Sequence, residues 1–138
     1  MLKYMLDTNI VIYTIKNRPN YIRKLFNKHT EQLCILVMTL GELVFGAEHS
    51  QQVEHNLADI EAMVSRLEVL LLDSKAAFHF GQIRAELYSR GKPIDPYDMM
   101  IAGHARGSGL ILVTNNVKEF SRVPGLLLEN RVAPSPNP

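Results

Sequence analysis

Met1-Leu-Lys-Tyr-Met-Leu-Asp7-Thr-Asn-Ile-Val-Ile-Tyr13 is an apolar run that stops at Asp7, where a pattern with helical spacing begins at once. Leu2 to Leu6 reads as a buried strand, and Thr8 to Lys16 as a helix ended by Asn17-Arg18-Pro19. A carboxylate in that position stands at the end of a strand and the start of a helix, where open α/β sheets bind their ligands.

The same alternation continues outward from this stretch. Asn20 reads as the cap of a second helix reaching Lys28, with Tyr21, Ile22, Leu25 and Phe26 at three-to-four spacing. Gln32 to Met38 has the length of a strand, and Thr39-Leu-Gly-Glu42 fits a capping box opening a helix to about His49. Leu57, Ile60, Met63 and Val64 mark an amphipathic helix over 56–67. Val69 to Leu72 reads as a strand, with Asp73-Ser74 capping a helix to Arg90, where Gly91 and Pro93 stop it. Asp95-Pro96-Tyr97-Asp98 combines a cap acid, proline at the first helical position and a further acid, and so opens a helix to Gly107-Ser-Gly109. Leu110 to Val113 is the next strand, Thr114-Asn-Asn116 opens a short helix to Phe120, and Leu126 to Leu128 closes the set. Strands alternating with helices predict a three-layer α/β/α domain around a central parallel sheet.

Length and composition are consistent with this. The 138 residues fit one domain, expected over 1–131, with the proline-rich 132–138 as a disordered tail. Apolar residues make up 46% and charged ones 21%, an ordinary globular balance, and no stretch has the length of a membrane span. Nothing resembles a secretory signal, and Cys34 is the single cysteine, so an intrachain disulfide is excluded and a cytoplasmic setting is expected. Net charge is only +1, so contact with nucleic acid has to be local.

The chemistry lies in the acids. Asp7, Glu42, Asp98 and Glu119 fall in or near the first turn of an expected helix, where capping alone stabilises a carboxylate by about 0.3–1 kcal/mol. Capping is thus an alternative for each of them singly. If they converge at the carboxyl edge of the sheet, their mutual repulsion raises their pKa values unless a cation neutralises them. A hard divalent ion such as magnesium suits such oxygen donors and leaves positions for water and phosphate. Thr8, Asn9, Thr114, Asn115 and Asn116 are small polar residues placed to support the cluster.

Met-Leu-Asp7-Thr-Asn-Ile, Thr39-Leu-Gly-Glu42-Leu, Pro-Tyr-Asp98-Met-Met-Ile-Ala-Gly-His-Ala105 and Leu-Val-Thr114-Asn-Asn, in that order, resemble the PIN-domain nucleases. Within these the chain is similar to the VapC toxins of bacterial toxin-antitoxin pairs, of enteric type. The resemblance implies that Asp7, Glu42 and Asp98 bind Mg2+ or Mn2+ and that the protein cuts RNA, with the anticodon region of initiator tRNA as first candidate. It also implies a cognate VapB-type antitoxin, a homodimer, and operator DNA bound through the toxin-antitoxin complex. Many relatives carry an acid where Asn116 stands, which leaves Glu119 as the candidate fourth acid.

Other motifs are weaker. The five histidines form no metal motif, and His104, six residues beyond Asp98, falls on another helix face. Gly103, Gly107 and Gly109 end a helix instead of opening one, which rules out a dinucleotide loop. Arg84 reads first as an ordinary solvated arginine, with the acids or a partner as the alternative, and Lys92 and Lys118 flank the proposed edge, where RNA phosphates would meet them. Tyr13, Phe26, Phe45 and Phe78 lie on helices expected around the cleft, where an antitoxin would bury them. Two rival functions are a phosphatase-like phosphoryl transfer with Asp7 or Asp73 as nucleophile, and a catalytically silent protein that only pairs with antitoxin and DNA.

Overall fold

The computed structural model describes residues 1–18 and 20–130. Five strands, β1 (Tyr4–Leu6), β2 (Leu33–Leu36), β3 (Glu68–Leu70), β4 (Ile111–Val113) and β5 (Leu127–Glu129), form one sheet in the order β3-β2-β1-β4-β5. Every pairing is parallel. Seven helices connect them: α1 (Thr8–Lys16), α2 (Ile22–Lys28), α3 (Val37–Glu48), α4 (Val53–Val64), α5 (Ser74–Ser89), α6 (Pro96–Ser108) and α7 (Val117–Phe120), with a 3-10 turn at Thr30–Gln32.

Side chains alternate along each strand and so feed two separate cores. Met5, Cys34, Leu36 and Leu112 point into one, where Ile83 and Leu87 of α5 and Met99, Ile101 and Ala102 of α6 pack against them. Tyr4, Leu6, Ile35 and Val113 point into the other, shared with Ile10 and Val11 of α1, Phe26 of α2, Leu43 and Ala47 of α3, and Ile60 and Met63 of α4. The expected three-layer α/β/α arrangement is therefore present. Cys34 is fully buried, and that burial pushes its thiol up to about 12.

Helices α5 and α6 pack closely against each other. A Cβ built on Gly103 would lie 2.8 Å from the backbone nitrogen of Phe80 and 3.0 Å from the carbonyl oxygen of Ala76. Glycine at 103 therefore lets the two backbones meet, well inside α6 and not at its end. Gly109, with φ of 69°, is the left-handed residue that terminates α6.

Local chemistry explains most helix starts. Asp7 accepts from the Ile10 amide at 3.0 Å, Asp73 from the Ala76 amide at 2.8 Å and Asp95 from the Tyr97 amide at 2.9 Å. Two expected caps are absent. The residue flanking α2 is Tyr21, with no side-chain cap, so Asn20 does not cap that helix. Nor is there a capping box at Thr39: α3 begins three residues earlier, directly off β2, with Leu36 as its flanking residue and no side-chain cap. Thr39 is instead fully buried inside the helix with its hydroxyl unpartnered. Core burial of β2 and of the first turn of α3 sets this boundary, and Glu42 falls in the second turn. Pro19 and residues 131–138, including the expected tail, lie outside the described residues. No helix among the described residues is long and apolar enough to cross a membrane.

Candidate functional site

The strand order reverses at β1, because β2 and β3 are laid down on one side of it and β4 and β5 on the other. Loops at the carboxyl ends of β1 and β4 therefore diverge and leave a crevice between them. Asp7 follows β1 and Thr114 follows β4, so this topology brings together residues more than a hundred positions apart. The Thr114 hydroxyl donates a hydrogen bond to Asp7 Oδ2 and accepts one from the Asn116 amide at 2.9 Å. Asp7, only 5% exposed, is thus held from both sides, by Thr114 on one oxygen and by the Ile10 amide on the other.

A cavity of about 320 Å³ opens there, lined by Asp7, Thr8, Asn9, Glu42, Asp95, Tyr97, Asp98, Asn116 and Phe120. α3 carries Glu42 into it, where Oε1 accepts from the Thr8 hydroxyl at 3.3 Å. α6 delivers Asp98 from its first turn. Four carboxylates line the cavity and no lysine, arginine or histidine does.

This convergence has an electrostatic cost. Burial raises Asp7 above the usual carboxylate range, against the lowering effect of hydrogen bonds from Thr114, Ile10 and Asn9. Glu42 is raised by burial, an effect opposed by Thr8 and reinforced by the charges of Asp95 and Asp7. Asp98 is pushed to about 7, first by burial and then by Asp95, Asp7, Glu42 and Glu119. The start of α6 favours a negative charge at this position, yet burial and like charges outweigh it.

All the lining acids are hard oxygen donors without a cationic neighbour in the cavity wall, so the set fits a hard divalent ion. Among the described residues, no group of three or more histidines, cysteines, aspartates or glutamates is preformed to hold a metal ion.

The expected residues divide by position. Asp7, Glu42, Asp98, Thr8, Asn9 and Asn116 meet in the cavity, whereas Glu119 stands outside its lining and acts on Asp98 only through its charge. Thr8 and Thr114 each donate a hydrogen bond to a carboxylate of the cluster, Glu42 and Asp7 respectively. Asn115 donates to the Tyr13 hydroxyl at 2.9 Å and so ties the loop after β4 to α1. Sequence reasoning took Asp95 for a cap alone and passed over Tyr97 and Phe120. The three-residue spacing of Asp95 and Asp98 was the available signal, since it puts both on one helical face.

The other residues singled out in the sequence lie elsewhere. Arg84 lies over the rings of Phe80 and Tyr88, at 6.0 and 5.5 Å, and does not line the cavity. Phe26 is core at 4% exposure, and Phe78, 74% exposed, belongs to α5 in the opposite layer. Asp73 caps α5 and is not in the cavity, which leaves the phosphatase-like reading without a second candidate nucleophile. His104 is buried with Nδ1 unpartnered, and that burial lowers its pKa against the charge of Asp73. It too is absent from the lining.

Residues 4–126 match the PIN domain family model. The chain is 57% identical over 130 residues, 94% of its length and 98% of the relative's, to the tRNA(fMet)-specific endonuclease VapC of Salmonella typhimurium. It is 53% identical to ribonuclease VapC2 of Haemophilus influenzae, covering 96% of this chain and all of that one. Among solved structures, DNA-bound VapBC from Salmonella typhimurium superposes with a TM-score of 0.90 at 57% identity, over 94% of this chain and 98% of that one.

Proposed function

This chain belongs to the PIN-domain family, among its VapC ribonucleases, and from that premise we propose that it is the metal-dependent endoribonuclease toxin of a toxin-antitoxin pair. One observation carries the reading: four carboxylates converge at the switch point of the sheet with no basic residue in the cavity wall. Asp7, Glu42 and Asp98 would hold Mg2+ or Mn2+, directly or through water, with Glu119 completing the charge from outside the cavity. Such an ion supplies a nucleophilic water at neutral pH and stabilises charge on a phosphodiester.

The chain's own residues do the positioning. Thr114 fixes Asp7 so that one rotamer faces the cavity, and Thr8 does the same for Glu42. Asp98, pushed to about 7 by burial and the neighbouring acids, would have to lose its proton to hold such an ion, so affinity for the ion would rise with pH. Tyr97, 51% exposed at the cavity wall, offers a ring face on which an unstacked base can lie.

The name of the Salmonella relative makes initiator tRNA the first substrate to try, and the solved VapBC complex supports a VapB-type antitoxin that carries the pair to DNA. For the antitoxin we take the groove between α1, α3 and α4, where Ile12, Ile15, Leu43 and Ile60 lead toward Glu42, with Phe45 exposed on α3. A homodimer in the cytoplasm completes the proposal. Purified protein should cleave initiator tRNA with magnesium and stop in EDTA, and Asp98→Asn should be inactive. RNA left intact under those conditions, with antitoxin and operator still bound, would mark a silent pairing protein instead.

A further inference from the structure

The cavity raises a problem for any RNA enzyme, because a polyanion must approach four carboxylates with no cation among the lining residues. Compensation lies elsewhere on the molecule. Residues 8–30 contain Lys16, Arg18, Arg23, Lys24 and Lys28 and not one acid, while ten of the fifteen basic and all fourteen acidic residues of the chain lie outside that segment. All five cations are exposed. Among the described residues the ion pairs formed are His55 with Asp59 and Arg90 with Glu86, so none of the five is neutralised.

Their setting is ordered. The Arg23 guanidinium donates to the Ile15 carbonyl at 2.6 Å, and its amide is held by Asn17 Oδ1 at 3.3 Å. Arg66, just beyond α4, donates to Asn27 Oδ1 and lies 5.1 Å from the centre of the Phe26 ring, which adds a sixth cation. Two acids border this face: Glu31, which follows the segment, and Asp59, which shares a hollow with Arg23 and Arg66. Lys16 also lines the groove that holds Glu42 and Asp59, whereas Arg18, Arg23, Lys24 and Lys28 follow the far end of α1, whose nine residues span roughly 13 Å from Asp7. That exceeds the Debye length of about 8–10 Å at physiological salt, so the acid cluster does not cancel the basic field.

We infer that the α1–α2 face bearing Lys16, Arg18, Arg23, Lys24 and Lys28 is a phosphate-binding surface that holds the RNA backbone while the scissile bond reaches the acid cavity. This rests on the nuclease reading for its substrate but not for its test. Contacts of this kind set register and affinity without reading sequence.

The probe is initiator tRNA with the full chain. Lys24→Gln/Lys28→Gln removes two exposed cations of α2, and Lys75→Gln/Arg84→Gln on α5 removes the same charge from the opposite layer. Binding is measured in EDTA across a salt series, and cleavage separately with magnesium. Each lost phosphate contact lowers the slope of log affinity against log salt by about 0.7–0.9, so the α2 pair should lose roughly 1.4–1.8, raise KM and leave kcat unchanged, while the α5 pair changes none of these. An equal loss in the α5 pair, or an α2 pair with wild-type slope and KM, overturns the assignment. So does an α2 pair that keeps its tRNA affinity and loses only the antitoxin. Wild-type protein that cleaves nothing yet binds tRNA with the α2-dependent slope would overturn the nuclease reading and leave this surface standing.

Discussion

Replacing Asp98 with asparagine should make the metal-free protein more stable while destroying its activity. The carboxyl of Asp98 titrates at about 7 in the folded chain against 3.8 for an unperturbed aspartate, so the native state resists its ionisation. At about 1.4 kcal/mol per tenfold this difference is worth at most roughly 4 kcal/mol, and solvent around the half-buried group reduces it to about 2. The sign follows from the raised pKa. Below pH 4 the group is protonated in both states and costs nothing; stability then falls as pH rises toward 7, and the full cost persists above that. The replacement amide is neutral throughout and also relieves Asp7 and Glu42 of one repulsive neighbour. Urea denaturation in EDTA should show the two proteins equal near pH 4 and the Asp98→Asn variant ahead by about 2 kcal/mol at pH 8, or roughly 6–10 °C in Tm. Adding magnesium should raise wild-type stability and leave the variant nearly unchanged, closing the gap. A variant equal to or less stable than wild type at pH 8 in EDTA would refute the account of the acid cluster as an uncompensated charge.

Three further outcomes follow from particular contacts. Thr114→Val should lower cleavage by about 10–100-fold by freeing Asp7, and Thr114→Ser should restore most of it, as read from kcat in a magnesium titration. Glu119→Gln should weaken activity by about tenfold, less than Asp98→Asn does, because its charge acts on Asp98 from outside the cavity; unchanged metal dependence would remove it from the site. Gly103→Ala should cost roughly 1–3 kcal/mol in chemical denaturation, since its Cβ meets the backbone of α5 and not a side chain that could turn away.

The sequence by itself determined the element order, the parallel sheet and most of the acids. The unbroken burial of Tyr4, Met5 and Leu6 and the Asp-Pro start of α6 are local statements, written in neighbouring residues. Thr8 to Lys16 was legible as a helix because the cap, the apolar spacing and the left-handed Asn17 all lie within one segment. Tertiary structure decided what no window contains. It set α3 three residues earlier than the Thr39 signal, because the apolar packing of β2 and of Leu43 and Ala47 outweighed a cap worth about 1 kcal/mol. It placed Asp95 in the cavity as well as at the cap, left Glu119 outside, and sent Asn115 to Tyr13 while Asn116 turned inward. It also brought Arg66 against α2, beside cations that residues 8–30 already group in sequence. Strand order alone brings Asp7 within reach of Thr114, and strand order follows from how two apolar cores close over a sheet, which local preference does not encode.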